Sequence, residues 1–457
     1  MSAWEQALSR LEAGAVLLSV WGEGAHVHLA WREGGSLRHL AREAVDREYP
    51  AVSARMPQAI RLERALRDEG VLTPRGLPDS RPWLKHDACG EPYPFLAVEG
   101  EGLHQIPVGP VHAGIIEPGH FRFTCDGETV VRLEARLGYV HRDVAGLMRG
   151  ADIEVAAKLA GRISGDSTVA YAWAFARAIE TALAITPPAR ALHLRAVMAE
   201  LERVANHLGD IGAICNDGGF PLMQAHCAVL RERVLRAAGS CFGHRLMMDC
   251  IVPGGVGADL NDEKIRTLTA LIGEIAARFP GLVRLYDLTA SLQDRTNGTG
   301  CLSPALARRF GAGGVVGRAS GHDFDARRDV CYAPYDGASF AVPVLSAGDV
   351  NARIWLRIKE IEQSLGLLSH FLTTIPIGAT RCEIPPQDGE GMALVEGFRG
   401  DIFLWLALEE GKIRHCHVRD PSWFQWPLLE AAIEGNIVAD FPLCNKSFNC
   451  SYAGHDG

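Results

Sequence analysis

"RISGDS", Arg162–Ser167, is the stretch on which the reading of this chain turns. It interrupts an apolar, helix-like region, and Ser164 and Ser167 stand at the spacing of a CxxC pair of metal ligands. Two readings are open from the residues alone: a metal site without its sulfurs, or a turn before a helix. The run that follows, "VAYAWAFARAIETALAI", is the most hydrophobic of the chain, but Arg177 and Glu180 interrupt it. It reads as a buried helix rather than a membrane span.

The chain has 457 residues, 47% of them hydrophobic, enough for two or three domains with real cores. A net charge of −9 argues against a nucleic-acid-binding surface. The first twenty residues lack a basic start, and "AGAVLLSVW" is too short for the core of a secretory leader. With no apolar run of membrane-spanning length, the expectation is a chain without a direct membrane span. Twelve cysteines are scattered singly with no CxxC. They read as reduced thiols, not as a disulfide framework, a zinc site or a cluster site. "GAGGVVGRASG" is glycine-rich but precedes a charged block instead of opening a strand–turn–helix unit, so it is not read as a dinucleotide-binding fingerprint.

Residues 1–95 read as a small α/β domain. "AHVHLAW" alternates as a strand, and "SLRHLAREAVDREYP" carries helical periodicity. "PRGLPDSRPW" reads as a loop that feeds a linker ending near "GEPYPF". Residues 96–457 read as a larger, mainly helical domain with small β elements, making the whole α+β. In "LRAVMAELERVANHL" one helical face carries Val197, Leu201, Val204 and Leu208, with Thr186-Pro187 as the expected start. The other carries Glu200, Arg203, His207 and Asp210: a solvated face, or ion pairs at a surface or inside a bundle. "DVNARIWLRIKEIEQSLGLLSHFL" predicts a second long helix. "GDIFLWLALEEGKIRHCHVRDP" predicts two strands joined at Glu410-Gly411.

Five segments together carry a resemblance: "IPVGPVHAGIIEPGHFRF", "RLGYVHRDVAGLM", "ELERVANHLGDIGAICND", "GRASGHDFDARRDVCYAPYD" and "GDVNARIWLRIKEIEQSL". From about His104 onward the chain resembles the large subunit of group 4, membrane-bound nickel–iron hydrogenases. It equally resembles their relative, the quinone-site large subunit of respiratory complex I. Residues 45–86 are similar to the end of the small complex I subunit often fused ahead of this one, here shortened.

The resemblance implies a set of positions. Hydrogenases of this family hold nickel with two CxxC pairs, which fall here on Ser164 and Ser167 and on Ser422 and Gln425. Hydroxyls and an amide are poor substitutes for thiolates, so no metal is expected in this chain. The complex I quinone site implies His112 as a headgroup contact, with Gly165 where that relative has a tyrosine. Glu117 resembles the hydrogenase glutamate that passes protons, and Arg399 the arginine that overhangs the metal. Together with Asp166 these are the candidate catalytic residues: His112, Glu117, Asp166 and Arg399, with His112 and Gly165 as the quinone pocket. They are expected, with Ser164, to converge on one enclosed space. His141 and Arg142 match a "GYxHRG" turn in which Asp143 replaces the usual glycine. Arg318, Arg327, Arg328 and Asp329 match a charged block that is either functional or a structural ion-pair network. The tail "NIVADFPLCNKSFNCSYAGHDG" resembles the nickel-less branch.

The function so implied is electron transfer to a quinone-type acceptor coupled to ion pumping. The implied partners are a small iron–sulfur subunit, which carries the clusters, and antiporter-like membrane subunits, with the chain peripheral on the inner face of the cell membrane. A redox-inactive scaffold and a true nickel–iron hydrogenase are the alternatives.

Overall fold

The computed structural model describes residues 2–84, 93–114 and 116–457. Helix α1 (Ala3–Glu12) is capped by the Ser2 hydroxyl, which accepts from Glu5 N. A three-stranded antiparallel meander follows: β1 (Val16–Glu23), β2 (His26–Glu33) and β3 (Ser36–Glu43). The expected "AHVHLAW" strand is β2. The helix expected over "SLRHLAREAVDREYP" is instead β3 and the short β4 (Glu48–Pro50). Leu37, Leu40 and Ala44 are spaced as on a helix, but the Glu33–Ser36 pairing leaves Gly34-Gly35 as a two-residue turn, with Gly34 at φ +56°. That turn sets Leu40 opposite Leu29, and cross-strand pairing overrides the periodicity.

Helix α2 (Ile60–Asp68) and β5 (Thr73–Arg75), parallel to β4, complete the N-terminal part. The linker expected up to "GEPYPF" runs through residues 85–92, outside the described residues. A second antiparallel sheet holds β6 (Leu103–Val108), β7 (His120–Asp126) and β8 (Thr129–Arg136), followed by short helices α3 (Val144–Met148) and α4 (Ile153–Ala160).

The apolar run is α5 (Thr168–Ala182), with Trp173, Phe175 and Ile179 fully buried. Its Glu180 accepts two hydrogen bonds from Arg195, at 2.6 and 3.0 Å. Long helix α6 (Ala189–Asp217) starts two residues beyond the expected Pro187, with Pro188 as its N-cap. Then come α7 (Pro221–Phe242), a minimal hairpin of β9 (Ile251–Val252) and β10 (Gly255–Val256), α8 (Asp262–Leu288) and α9 (Ala290–Thr296). Three short helices, α10 (Pro304–Arg309), α11 (Gly314–Ala319) and α12 (Ala326–Asp329), lead to α13 (Val350–Thr374), capped by Asp349.

The predicted strand pair is β12 (Asp401–Glu409) and β13 (Lys412–Arg419), joined at Glu410-Gly411 and flanked by β11 (Gly389–Glu396). Helices α14 (Ser422–Ala432), α15 (Phe441–Phe448) and α16 (Tyr452–Asp456) end the chain. The fold is mixed α+β. One apolar cluster joins α5, α6, α13 and the β11–β13 sheet. A second joins Trp4, Leu29 and Trp83 to Phe121, Trp426 and Phe441, so the apolar core runs across residue 95.

Candidate functional site

The turn after α4 and the start of α14 lie against each other, and the chain's own tail lies between them. Arg399, from the hairpin between β11 and β12, donates to both carboxylate oxygens of Asp166 at 2.7 and 2.6 Å. This bidentate geometry is the strong form of an ion pair. Desolvation pushes the Asp166 carboxyl up, but Arg399 and the Ser164 and Ser167 hydroxyls outweigh it and hold it at about 2. Ser164 Oγ donates to Asp166 at 2.9 Å; Ser167 Oγ donates at 3.2 Å and accepts from Arg399 at 3.1 Å.

The four positions matched to metal ligands are all buried, and the tail links the two pairs. Ser422 Oγ accepts from Ser451 N at 2.8 Å, and Ser164 Oγ lies 3.1 Å from Ser451 Oγ. The Gln425 amide donates to Arg399 O at 2.9 Å and Gly313 O at 3.3 Å. The nickel–iron centre implied by the fold family does not fit this donor set. Three hydroxyls and an amide offer no soft anionic ligand; the hydroxyls and the Gln425 amide nitrogen are committed to protein partners, and the buried Gln425 Oε1 alone has none. Among the described residues, no group of three or more His, Cys, Asp and Glu side chains is placed to hold a metal.

The tail enters after α15, where Asn449 adopts a left-handed conformation at φ +52°. Asn449 O accepts from Arg399 Nε at 2.6 Å, and its amide donates to Asp210 at 2.8 Å. Further along, the Tyr452 hydroxyl lies 3.4 Å from His112 Nε2, and Ala453 N donates to Glu117 at 2.9 Å. His112 and Glu117 thus meet Ser164, Gly165, Asp166 and Arg399 through the tail, not across an open pocket. Burial, and then the charge of Lys446, lower the His112 pKa, so at neutral pH the ring is neutral. Gly165 faces open space on the exposed side of its turn. The cavity nearby, about 140 Å³, is lined instead by residues such as Trp21, Leu66, His141, Ile163, Trp423 and His455. The expectation of one enclosed space shared by the six residues gives way to a tail-bridged interface, because Asn449 O, Ser451 Oγ, the Tyr452 hydroxyl and Ala453 N lie against Arg399, Ser164, His112 and Glu117.

The "GYxHRG"-like turn holds the far end of the tail. His141 Nδ1 lies 2.6 Å from Asp456 O, Arg142 N donates to Gly457 O, and the Arg142 guanidinium donates to Ile163 O at 2.7 Å. Asp143 stands at φ +51°, the region that favours glycine, and its carboxylate caps Gly146 N. Aspartate is among the few side chains that settle there.

Two site residues escape a reading of the sequence. Glu202 is buried and accepts from Val169 N and Ala170 N at the start of α5, at 2.8 and 3.2 Å. Burial pushes its carboxyl up to about 8, with Asp166 adding to the rise, so at neutral pH it is protonated. A crevice of about 10 Å³ touches both carboxyls and Asn206. Asp420 accepts a short hydrogen bond from Tyr171 and one from Ser422 N at 2.7 Å. Only a three-dimensional contact identifies either residue.

The charged face of α6 is interior. Glu360 accepts from Arg318 at 2.6 Å and lies 2.7 Å from His207 Nε2. Arg318 also bonds Glu396, while Arg327 pairs with Glu200 and Asp325. Burial alone raises the Glu360 carboxyl, but Arg318 and His207 outweigh it and hold it well below the usual range. Arg328 and Asp329 pair with each other nearer the surface, at 2.8 Å. This block is an ion-pair network tying α6, α11, α12, α13 and β11.

The family described as "Respiratory-chain NADH dehydrogenase, 49 Kd subunit" matches residues 217–385. The chain is 31% identical to Hydrogenase-4 component G of Escherichia coli (strain K12), over 91% of this chain and 77% of that protein. It is 31% identical to the Carbon monoxide-induced hydrogenase of Rhodospirillum rubrum, over 76% of this chain and 97% of that one. It is 32% identical to an NADH-quinone oxidoreductase subunit of Roseiflexus sp. (strain RS-1), over 74% and 94%. A structure of the membrane-bound sulfane sulfur reductase, an archaeal respiratory membrane complex, shares the fold at TM-score 0.73 and 24% identity, covering 78% of this chain and 99% of that one. The chain belongs to the family that unites these hydrogenase proteins with the 49 Kd-type subunits of the NADH-quinone oxidoreductases.

Proposed function

We propose that this chain is the large, cluster-free subunit of a membrane-associated complex I-like oxidoreductase, in which electrons from an iron–sulfur partner reach a quinone-type acceptor and drive ion pumping. Nickel–iron chemistry has no place in this reading. The observation that carries it is the donor set: Ser164, Ser167, Ser422 and Gln425 are neutral oxygen and nitrogen groups engaged by Ser451, Asp166, Arg399 and the main chain. Among the described residues no helix is long and apolar enough to cross a membrane, so antiporter-like partners would supply the ion path.

In this reading the neutral His112 ring donates a hydrogen bond to a headgroup carbonyl, and the exposed edge of Asp166 lies on the face that a cluster-bearing partner would cover. A second reading is favoured by one specific contact set. Tyr452 and Ala453 already engage His112 and Glu117, which suits a redox-inactive coupling subunit. Purifying the intact complex for metal analysis and quinone-dependent turnover separates the two. His112→Ala is expected to lower turnover about 5- to 150-fold, the equivalent of one buried hydrogen bond, with assembly intact. Unchanged turnover in an assembled complex makes the chain a scaffold, and stoichiometric nickel with hydrogen-dependent dye reduction overturns both readings.

A further inference from the structure

The cavity of about 140 Å³ lies where the N-terminal part meets the larger part of the chain. β1 and α2 form one wall, and α3, β13 and the start of α14 form the other. Leu62, Leu66, Val144, Ile163 and Trp423 are buried and make its lining apolar. A dry space of about 150 Å³ with such a lining takes a benzene ring, so this one has room for a single six-membered ring. Two of its polar groups have no partner. Trp21 is 3% exposed and stacks on His417 with ring centroids 4.6 Å apart, yet its Nε1 makes no hydrogen bond. A buried indole N–H ordinarily finds an acceptor. Glu69, which ends α2, is exposed at the rim together with His141, Asp143 and Arg149. Among the described residues no hydrogen bond or ion pair engages its carboxylate.

We propose that this cavity is a binding site for a small one-ring aromatic amine: the ring fills the apolar space, a ring acceptor atom takes the Trp21 N–H, and the ammonium sits at the rim against Glu69 and Asp143. Charge selects the cation. Two carboxylates stand at the rim against the one guanidinium of Arg149, and Glu69 also stands at the carbonyl end of α2, where the helix dipole is negative. Burial pushes the Glu69 carboxyl up to about 7, and the Asp143 charge adds to the rise, while His141 and Arg149 each offset part of it. An ammonium beside Glu69 favours the ionised form and is favoured by it. A ring acid of the same size meets both carboxylates and is disfavoured. A ligand seated here touches β1, α2, α3 and β13 at once, so it fastens the N-terminal part to the rest of the chain, whether the subunit is redox-active or a scaffold.

The full chain at pH 8 is titrated with pyridylmethylamine while the Trp21 indole N–H resonance, identified by its loss in Trp21→Phe, is followed. The amine is expected to shift that resonance. It should bind at least about fivefold tighter than pyridylmethanol, which lacks the cation, and at least about threefold tighter than benzylamine, which lacks the ring acceptor. Glu69→Gln is expected to weaken the amine about fivefold and to leave the alcohol unchanged. Equal affinity for amine and alcohol, tighter binding of pyridine carboxylate, or no binding by any of the series overturns the proposal. An unmoved Trp21 resonance, or benzylamine bound as tightly as pyridylmethylamine, removes the Trp21 contact and refutes this seat. If Glu69→Gln does not fold, the ligand series on the unaltered chain decides.

Discussion

Two buried polar regions meet α6, one through Glu200, Arg203 and His207 and the other through Asn206, which donates to Asp166 O, and they are built on opposite principles. Around Glu200, Arg203, His207 and Glu360 the carboxylates and guanidiniums are fully enclosed and matched to one another across α6, α11, α12, α13 and β11, whose Glu396 takes Arg318. Around Ser164, Ser167, Ser422 and Gln425 the groups are small and neutral, tied by a tail, with one ion pair whose carboxylate side is 37% exposed. The first region trades heavy desolvation for mutual Coulomb attraction and tolerates no missing partner. The second spreads modest hydrogen bonds over many partners and leaves one edge open. The contrast separates the part of the chain that holds helices together from the part that has room to change its chemistry.

The comparison breaks first at Glu360. Glu360→Gln leaves Arg318 and Arg203 facing too little negative charge inside the bundle. Removing one partner of a buried pair costs about 3–5 kcal/mol. The expected result is a large fall in denaturant midpoint, or loss of the folded chain. A loss of less than about 1 kcal/mol would mean that solvent reaches the network and that the two regions are alike.

Asp166→Asn should do less, about 1–2 kcal/mol, because its open edge screens the charge. Its pH dependence is the sharper readout. Asp166 titrates near 2 in the folded chain, below the ordinary unfolded value of about 4. The pair therefore contributes fully above about pH 4, and its contribution fades as pH falls through about 2. Stability measured from pH 5 to 2 should flatten in Asp166→Asn; an identical profile would sever the charge pairing from the turn's stability.

Glu202 moves the other way. Its folded carboxyl stays protonated up to about pH 8, while the unfolded one ionises near 4.3. The unfolded state sheds a proton that the folded state keeps, so this group erodes stability as pH rises from about 4.3 towards 8. Glu202→Gln removes the titration but turns an NH2 towards Val169 N or Ala170 N, so the readout is the slope and not the level: the fall of stability between about pH 4.3 and 8 should flatten in the variant. An unchanged slope would place an ionised carboxylate at the N-terminus of α5.

What is legible in the sequence follows the same division. Long periodic runs announce α5, α6 and α13, because burial of one face leaves a repeating apolar signal. "SLRHLAREAVDREYP" misleads, because its period is ambiguous and Gly34-Gly35 decides it by turning the chain. The positions Ser164, Ser167, Ser422 and Gln425 come from resemblance, and Ser164 and Ser422 are linked through Ser451. That Ser451 joins them is not legible, since the contact links residues 287 apart along the chain. Glu202 hides one step from Glu200 on the same helix, distinguished only by which elements fold over it.

The smallest expected effect is at Gly165, and it tests the open edge directly. An added Cβ there meets no atom within 4 Å, its backbone is outside the left-handed region, and the residue is exposed. Gly165→Tyr, the side chain that the resemblance to complex I implies at this position, should change stability by less than about 0.5 kcal/mol, as for other surface substitutions without strain. The contrast with Glu360 is then complete, since one region accepts a whole aromatic ring where the other does not accept the loss of one charge. In the assembled complex the new hydroxyl would face the covered side of the turn and add one hydrogen-bond donor toward a quinone headgroup. An affinity gain of about fivefold or more, read from the quinone concentration at half-maximal turnover, is expected if His112 and this turn face the same ligand. A stable Gly165→Tyr complex with unaltered quinone dependence would place the headgroup away from the turn. Failure of that complex to assemble would show that the partner packs against Gly165 so closely that no ligand lies between them.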